Sequence, residues 1–291
     1  MKKKVFAAAL AAAIAFTVQI PAFAATNDPN LTAYETPYTT TVSAGIADTV
    51  YLMAVPANNS YLPTTFDSEA DAAQVKWTVE PGSTEGVTVN EASIMGMDTG
   101  GTIAAYVEVD VAAGAAPGAA SIKATNTETG AAMNFTVVVN GAAENQGDIT
   151  YKYYEGNNKT PLLTVSKMEV AANDHYGNTQ YPSVLDGIYK SWMNTMGEGD
   201  KLKAYDIQDP YNSGSYVVKS LTFEKNGEML NYTEKVDETY NYYGWQYRVY
   251  RDGKKVPLSE MIGGDEFALK TGDTVVWRYG QYGVVDFAET L

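Results

Sequence analysis

The side chains best suited to catalysis are scarce in this sequence of 291 residues. It has a single histidine, His175, and no cysteine. A serine triad would need His175 beside a serine and an acid, and no nucleophile-elbow motif accompanies it. Zinc-type sites need several histidine or cysteine ligands. We therefore predict a non-enzymatic protein, with an enzyme that uses His175 as the alternative.

Calcium, which binds oxygen ligands, is the remaining metal chemistry to consider. Two acidic groups could gather such ligands, namely Asp206 and Asp209 with Asn212, and Asp265 and Glu266 with Asp273. Neither spacing matches a calcium-loop pattern, so we predict solvated acidic loops and no metal site.

Tyrosine is the informative excess, because 17 of the 22 tyrosines lie beyond position 150. Tyrosine offers a large, stiff contact area with a polar tip and is favoured at binding surfaces. Only one side of a strand can point inward, so the pattern leaves open which of these aromatic residues are exposed. The candidate ligand-binding residues are Tyr242, Tyr243, Trp245, Tyr247, Tyr250, Trp277 and Tyr279.

Two aromatic strands must position these residues. Large side chains alternate in residues 244–249 and again in residues 272–279, which is the period-two pattern of half-buried strands. Trp245, Tyr247 and Val249 should lie on one side of the first strand, opposite Val275, Trp277 and Tyr279 of the second. We predict that this pair is the centre of a C-terminal domain.

One helix is predicted in that domain. Ser183 is suited to the N-cap, and Asp186 three residues later completes a capping-box-like start. Gly197 is a natural stop. Apolar and aromatic residues fall on one helix face, namely Val184, Leu185, Ile188, Tyr189, Trp192 and Met193. Further strands are expected at residues 162–170 and 216–223, with a hairpin turn at Asn226-Gly227 and a polar connection over residues 201–216.

Residues 38–140 contain seven short β patterns separated by clusters of Gly, Pro, Asn and Asp. Several short strands at this spacing predict an antiparallel sandwich of immunoglobulin type. Trp77 is expected in its core.

The first 24 residues have the pattern of a secretory signal peptide, with three lysines, an apolar run and a small-residue cleavage site at Ala22-Phe23-Ala24. A retained N-terminal membrane helix is the alternative, although the apolar run is shorter than a bilayer requires. Without the three lysines of this segment, 17 basic and 35 acidic residues remain, a net charge of −18. Nucleic acid and anionic lipid are therefore poor partners. Export without cysteine favours a bacterial cell envelope.

Two sets of motifs in this sequence resemble known families. Residues 75–81, 118–124 and 135–139 are similar to the "W-x-V-x-P", "G-x-a-x-I-x-A" and closing strands of bacterial immunoglobulin-like domains, which usually serve as spacers or adhesion modules. Residues 183–188, 244–249 and 270–279 are similar to the "T-V-L-D-A-L", "G-W-x-Y-x-V" and "K-x-G-D-x-V-x-W-x-Y" motifs of the transcobalamin-like C-terminal domain, which is related to the soluble-ligand-binding β-grasp group. The second resemblance implies a β-grasp-like α+β domain and a cobalamin or related corrinoid as ligand.

The expected organisation is mainly β, an immunoglobulin-like sandwich followed by a β-grasp-like domain with one main helix. The predicted boundaries are a signal peptide at 1–24, a flexible leader at 25–37, the sandwich at 38–140, a linker at 141–149, the β-grasp-like domain at 150–282 and a tail at 283–291. We expect an exported protein, at the cell surface, in the periplasm or outside the cell, that binds a small soluble ligand or a surface polymer. The alternative is a structural or adhesive surface protein that contacts another envelope protein through an edge strand or through the tail.

Overall fold

A computed structural model describes residues 30–58, 62–172, 180–197, 199–210 and 216–287. The described chain is mainly β and divides into two compact units, one up to Gly141 and one from Ala142 onward. The predicted signal peptide and His175 lie outside the described residues.

The N-terminal unit is a sandwich of two four-stranded sheets. Its elements are β1 (Asn30–Ala33), β2 (Thr39–Ser43), β3 (Asp48–Ala57), the short helix α1 (Glu69–Ala72), β4 (Val75–Val79), β5 (Val87–Asp98), β6 (Ile103–Val111), β7 (Gly118–Asn126) and β8 (Ala132–Asn140). One sheet has the order β1-β3-β6-β5 and the other β2-β8-β7-β4. All pairs are antiparallel except β2 with β8. This order is that of an immunoglobulin sandwich whose first strand is divided between the two sheets.

Apolar side chains from both sheets form one core between them. Trp77 of β4 is 4% exposed, and its ring lies 5.8 Å from that of Phe135 in β8. Since β1 and β2 together form the divided first strand, β4 corresponds to the third strand of the immunoglobulin sandwich. A buried tryptophan on that strand is a hallmark of this fold. The prediction that Trp77 belongs to the core is confirmed.

Two features of this unit differ from the sequence prediction. Strand β1 lies inside the predicted flexible leader, where Leu31 is buried and pairs opposite Pro56 of β3. A four-residue strand is too short for its alternation to be recognised in the sequence, and β1 is fixed in place by its pairing with β3. Strand β5 extends well beyond the predicted residues 87–89. The sequence prediction stopped early because a register shift between Asn90 and Met95 breaks the alternation of side chains along this strand.

The C-terminal unit has one six-stranded sheet, one three-stranded sheet and one longer helix. Its elements are β9 (Gln146–Glu155), β10 (Leu163–Val170), α2 (Val184–Asn194), β11 (Lys201–Gln208), β12 (Val217–Lys225), β13 (Glu228–Thr233), β14 (Lys235–Val236), β15 (Tyr242–Arg251), β16 (Lys254–Lys255), a 3-10 helix (Pro257–Glu260) and β17 (Thr274–Gln281). The large sheet has the order β10-β9-β17-β15-β14, with β16 added beside β15, and β17 runs parallel to β9. The small sheet has the order β11-β12-β13.

Helix α2 begins where the sequence predicts. The Ser183 hydroxyl accepts a hydrogen bond from the Asp186 amide (3.2 Å), and the Asp186 carboxylate accepts one from the Ser183 amide (2.7 Å). These two bonds form the capping box. The helix ends at Asn194, three residues before the predicted stop at Gly197.

The large sheet has two faces that are covered differently. Its inner face packs on helix α2 and on the small sheet, with the Tyr151 hydroxyl donating to the Val184 carbonyl (2.7 Å) and the Tyr153 ring 5.4 Å from that of Phe223. Its outer face is covered by the C-terminal segment, from which Phe287 packs on Tyr250.

Three predicted boundaries in this unit need correction. The connection between the units is shorter than the predicted linker 141–149, because β9 already begins at Gln146, which pairs with Val170 of β10. The predicted tail 283–291 is part of the fold as far as Phe287, which is buried, and residues 288–291 lie outside the described chain. The polar connection predicted at 201–216 contains β11, a strand whose polar residues obscure its alternation and which is fixed by pairing with β12.

Candidate functional site

The two aromatic strands β15 and β17 lie side by side, as predicted. Their antiparallel register places Trp245 opposite Tyr279, Tyr247 opposite Trp277, and Val249 opposite Val275. These six residues share the inner face of the large sheet, since side chains alternate along a strand. The sequence prediction of this pairing is confirmed.

Burial divides the seven candidate residues into two groups. Trp245, Tyr247, Tyr250 and Trp277 are buried, with exposed fractions of 3% to 8%. The Tyr247 hydroxyl donates to the carbonyls of Ile262 and Gly263, at 2.9 and 3.1 Å. Burial also raises the pKa of Tyr247 well above its usual value. These four side chains therefore serve as packing groups in this fold.

Tyr242, Tyr243 and Tyr279 are half-buried and reach the surface. Tyr279 lies on the inner face near Tyr243, its diagonal neighbour across the ladder. Tyr242 points to the opposite face, where its ring lies 5.2 Å from that of Tyr282. The seven predicted residues thus do not form one continuous surface.

A different residue, Tyr232 of β13, joins the inner-face tyrosines. Its ring lies 5.2 Å from that of Tyr279 and 5.9 Å from that of Trp245, and the Trp245 indole donates to the Tyr232 carbonyl (3.2 Å). We call the half-buried surface made by Tyr232, Tyr243 and Tyr279 the aromatic rim. The sequence predicted the hairpin turn at Asn226-Gly227 that leads into β13. The alternation along β13 puts Tyr232 on the side facing β15, and this signal was not used to name Tyr232 as a candidate.

The aromatic rim rests on a rigid base of rings. Behind it, Phe223 and Tyr153 pack against Trp245 with ring centroids 5.9 and 6.4 Å apart. The Tyr279 hydroxyl donates to the Thr233 carbonyl at 2.6 Å, which ties the two sheets together at this end. The rim is therefore a preformed surface.

Two of the rim tyrosines, Tyr232 and Tyr279, lie in surroundings that favour the neutral phenol. Burial and then the nearby Glu155 raise the pKa of Tyr232 to about 12, and burial raises the pKa of Tyr279. Lys235, on the neighbouring strand, has its ammonium nitrogen 5.4 Å from the Tyr243 ring centroid, within range of a cation–π interaction. This arrangement offers ring faces for stacking and neutral hydroxyls for hydrogen bonds.

Asp273 and Asp265, two of the acidic residues considered for calcium, have other partners in the fold. Asp273 forms a bidentate ion pair with Arg251, with both nitrogen–oxygen distances 2.8 Å. Asp265 is buried and accepts a hydrogen bond from the Tyr216 amide at 3.0 Å. Asn212 lies outside the described residues. Within the described ranges, no group of three or more His, Cys, Asp or Glu side chains is arranged to hold a metal ion.

Among the helices of the described chain, none has both the length and the apolar character needed to span a membrane.

Comparisons with known proteins add little to this geometry. No family model matches the sequence, and no curated protein matches it. A solved structure that shows similarity is that of the N-terminal eight Ig domains of Down Syndrome Cell Adhesion Molecule isoform 1.30.30, with 10% identity and a TM-score of 0.23. The similarity covers 89% of this chain and 38% of that one, so the chain spans well under half the length of that protein. The assignment of the N-terminal unit to the immunoglobulin sandwich rests on its own strand order, β1-β3-β6-β5 over β2-β8-β7-β4.

Proposed function

We propose that this chain is an exported, non-enzymatic binding protein of a bacterial cell envelope, in which the C-terminal unit presents the aromatic rim to a soluble ligand or a surface polymer. The observation that carries the proposal is the rim itself, three half-buried tyrosines held on a rigid base of buried rings. Such surfaces lose little conformational entropy on binding and stack well on rings and flat groups.

The fold of the C-terminal unit supports a β-grasp-like domain. The hairpin β9-β10 is followed by helix α2, and the last strand β17 lies between β9 and β15 and runs parallel to β9. The transcobalamin-like motifs imply a β-grasp-like domain with one helix packed on a sheet, and the packing of α2 on the large sheet supports this part of the proposal. A corrinoid is therefore one ligand to test, together with cell-wall fragments and simple glycans.

Export and the non-enzymatic role are supported by the sequence. Residues 1–24 have the three regions of a signal peptide, and the chain has one histidine and no cysteine. The acidic net charge argues against nucleic acid as the partner.

The test is a calorimetric and thermal-shift titration of residues 25–291 with cobalamin, cell-wall fragments and simple glycans. A ligand at 100 times its dissociation constant should raise the free energy of unfolding by about 2.7 kcal/mol. Tyr243→Ala should weaken that ligand about tenfold and leave the melting temperature nearly unchanged. Tyr240→Ala is the matched control, because Tyr240 is 90% exposed and lies outside the rim. Equal binding by the Tyr243 variant and the wild type would contradict the rim as the site.

A second function, adhesion through protein–protein contacts, is favoured by a surface of the N-terminal unit. Tyr51 and Tyr106 stack on the outer side of the β1-β3-β6-β5 sheet, with ring centroids 6.1 Å apart, and Met95 lies opposite Tyr106. Tyr51 is 56% exposed and Met95 44% exposed. Exposed apolar side chains grouped in this way are typical of contact surfaces.

This adhesive function predicts that Tyr51→Ser with Met95→Ser reduces self-association or partner binding, as measured by sedimentation velocity, without unfolding the sandwich. The tail version of this function has less support, because Phe287 packs on the chain's own sheet. Sedimentation that is the same for the variant and the wild type would count against this surface.

A further inference from the structure

A row of side chains crosses the outer face of the large sheet, on the opposite side from the aromatic rim. Tyr154 of β9 lies beside Arg278 of β17, and Arg278 lies directly opposite Gln246 of β15. Arg278 is 2% exposed and Gln246 8% exposed. A guanidinium and an amide are thus buried next to each other on one face.

The guanidinium of Arg278 is held in a fixed orientation. One terminal nitrogen donates to the carbonyls of Gly156 (2.6 Å) and Asn158 (3.1 Å). The guanidinium carbon lies 4.4 Å from the centroid of the Tyr154 ring, while the Phe287 ring is 5.9 Å away. The planar group is therefore oriented before any ligand arrives.

Two nitrogen atoms in this row have no hydrogen-bond acceptor. These are Nε of Arg278 and Nε2 of Gln246, both fully enclosed. Buried donors are almost always satisfied, and an exception calls for an explanation. Because the two residues are opposite neighbours and both atoms are donors, the acceptor that fits them is one group with two oxygens, and a carboxylate has that form.

The charges around the row favour an anion. Among the described residues no carboxylate forms an ion pair with Arg278, and Asp286 of the covering segment acts on it through its charge. The nearby Arg248 is paired with Glu260, with a nitrogen–oxygen distance of 2.9 Å, so that acid is already engaged. An added carboxylate would supply a negative charge beside Arg278 while taking up the two free donors.

The row is covered by residues 282–287, which we call the C-terminal cover. Gly280, on the same face, makes room for it, since a Cβ at that position would lie 2.5 Å from the Val285 side chain. Hydrogen bonds attach the cover to the sheet unit beneath it, from the Tyr250 hydroxyl to the Phe287 carbonyl and from the Asp286 amide to the Asn157 side chain, both 2.8 Å, and from the Tyr282 amide to the Tyr242 carbonyl, 2.9 Å. Lifting the cover breaks its own contacts and leaves the strand ladders of the sheet intact, which is a local opening and not an unfolding of the unit.

We propose that this outer face is a binding site for an aromatic carboxylate, which enters when the C-terminal cover lifts. The carboxylate accepts hydrogen bonds from Arg278 and Gln246, and its ring takes the place of the Phe287 ring beside the guanidinium. The site is separate from the aromatic rim, so its failure and that of the proposed function are distinguishable.

The test is a calorimetric titration of residues 25–291 with benzoate, and with neutral benzamide as the comparison ligand. Benzoate should bind and benzamide should bind at least about tenfold more weakly, because only the carboxylate satisfies both donors. Gln246→Met should weaken benzoate binding about tenfold, whereas Gln208→Met, an exposed glutamine in β11, should not change it. Gln246→Met leaves the bonds from Arg278 to the backbone intact, so it tests the site with little risk to folding.

One other source of the carboxylate lies in the chain itself, since Glu289 follows Phe287 by two residues. The titration is therefore repeated with Glu289→Gln, in which a competing side-chain carboxylate is removed. Phe287→Ala should tighten benzoate binding by vacating the ring position. Benzoate that binds Gln246→Met as well as the parent chain, or that binds neither the parent chain nor Glu289→Gln, would overturn the proposal.

Discussion

Replacing Gly187 by alanine should destabilise the protein, although the residue lies inside a helix. Alanine is the better helix former by about 1 kcal/mol. In this helix, however, an added Cβ would lie 2.0 Å from the hydroxyl oxygen of Tyr151 and 2.2 Å from its Cζ. Tyr151 has no exposed surface, and its hydroxyl is bonded to the Val184 carbonyl, so the ring has no room to withdraw.

The magnitude follows from three opposing contributions. Overpacking of a filled core costs about 1–3 kcal/mol, and displacing the Tyr151 hydroxyl from its acceptor costs about 1 kcal/mol more. The gain in helix propensity offsets about 1 kcal/mol. Gly187→Ala should therefore lower the free energy of unfolding by about 1–3 kcal/mol.

Urea unfolding followed by tryptophan fluorescence measures this change. Three of the four tryptophans lie in the C-terminal unit, so a Trp77→Phe background confines the signal to that unit. Lys190→Ala on the same helix is the control, and should change stability by less than about 0.5 kcal/mol. In a Tyr151→Leu background the penalty for Gly187→Ala should disappear, because the clashing ring is absent. A Gly187→Ala protein that is more stable than the parent would refute this reasoning.

Three further predictions concern other parts of the C-terminal unit. Burial raises the pKa of Asp265 to about 6, above its value in an unfolded chain. The folded state therefore binds the Asp265 proton more tightly than the unfolded state does. The resulting stability, on the order of 1–3 kcal/mol, is present below about pH 4 and is lost as the pH rises through 6. In Asp265→Asn, the urea concentration at the unfolding midpoint should depend less on pH across this range. Arg251→Met should lower the free energy of unfolding in urea by about 3–5 kcal/mol, because it leaves the fully buried carboxylate of Asp273 without its charged partner. Adding Asp273→Asn to this variant should restore stability if the pairing is the cause. Gly280→Ala should dislodge Val285 and speed amide hydrogen exchange in residues 285–287 at least about tenfold, while unchanged exchange would show that the C-terminal cover accommodates a side chain there.

Parts of this fold that depend on local pattern were predictable from the sequence. The alternation of Trp245 and Tyr247 against Tyr279 and Trp277 specified the pairing of β15 with β17, because a slip of one residue would turn every large side chain to the other face. The capping box at Ser183 located the start of helix α2 for a similar reason, since its partners are only three residues apart.

Parts that depend on distant partners were not predictable. Strand β11 is polar and is held by its ladder with β12, and β1 is only four residues long and is held by β3. The burial of Tyr250 depends on Phe287, which is far from it in sequence and carries no pattern of its own. For this reason the sequence could name the aromatic residues of the candidate site but could not separate the buried ones from those at the surface.

The tyrosine excess itself has a largely structural explanation. Among the described residues, six tyrosine hydroxyls donate to backbone carbonyls in other segments, namely Tyr151 to Val184, Tyr181 to Glu266, Tyr247 to Ile262, Tyr250 to Phe287, Tyr279 to Thr233 and Tyr282 to Trp245. Each ring fills the core while its hydroxyl satisfies a carbonyl at a loop or at the end of an element, which joins segments in a chain that has no disulfides. Composition alone therefore overstates how many tyrosines are available to a ligand. The ligand-binding hypothesis rests on the few that combine a surface position with a rigid base, and Tyr243 is the one whose replacement would disturb the fold least.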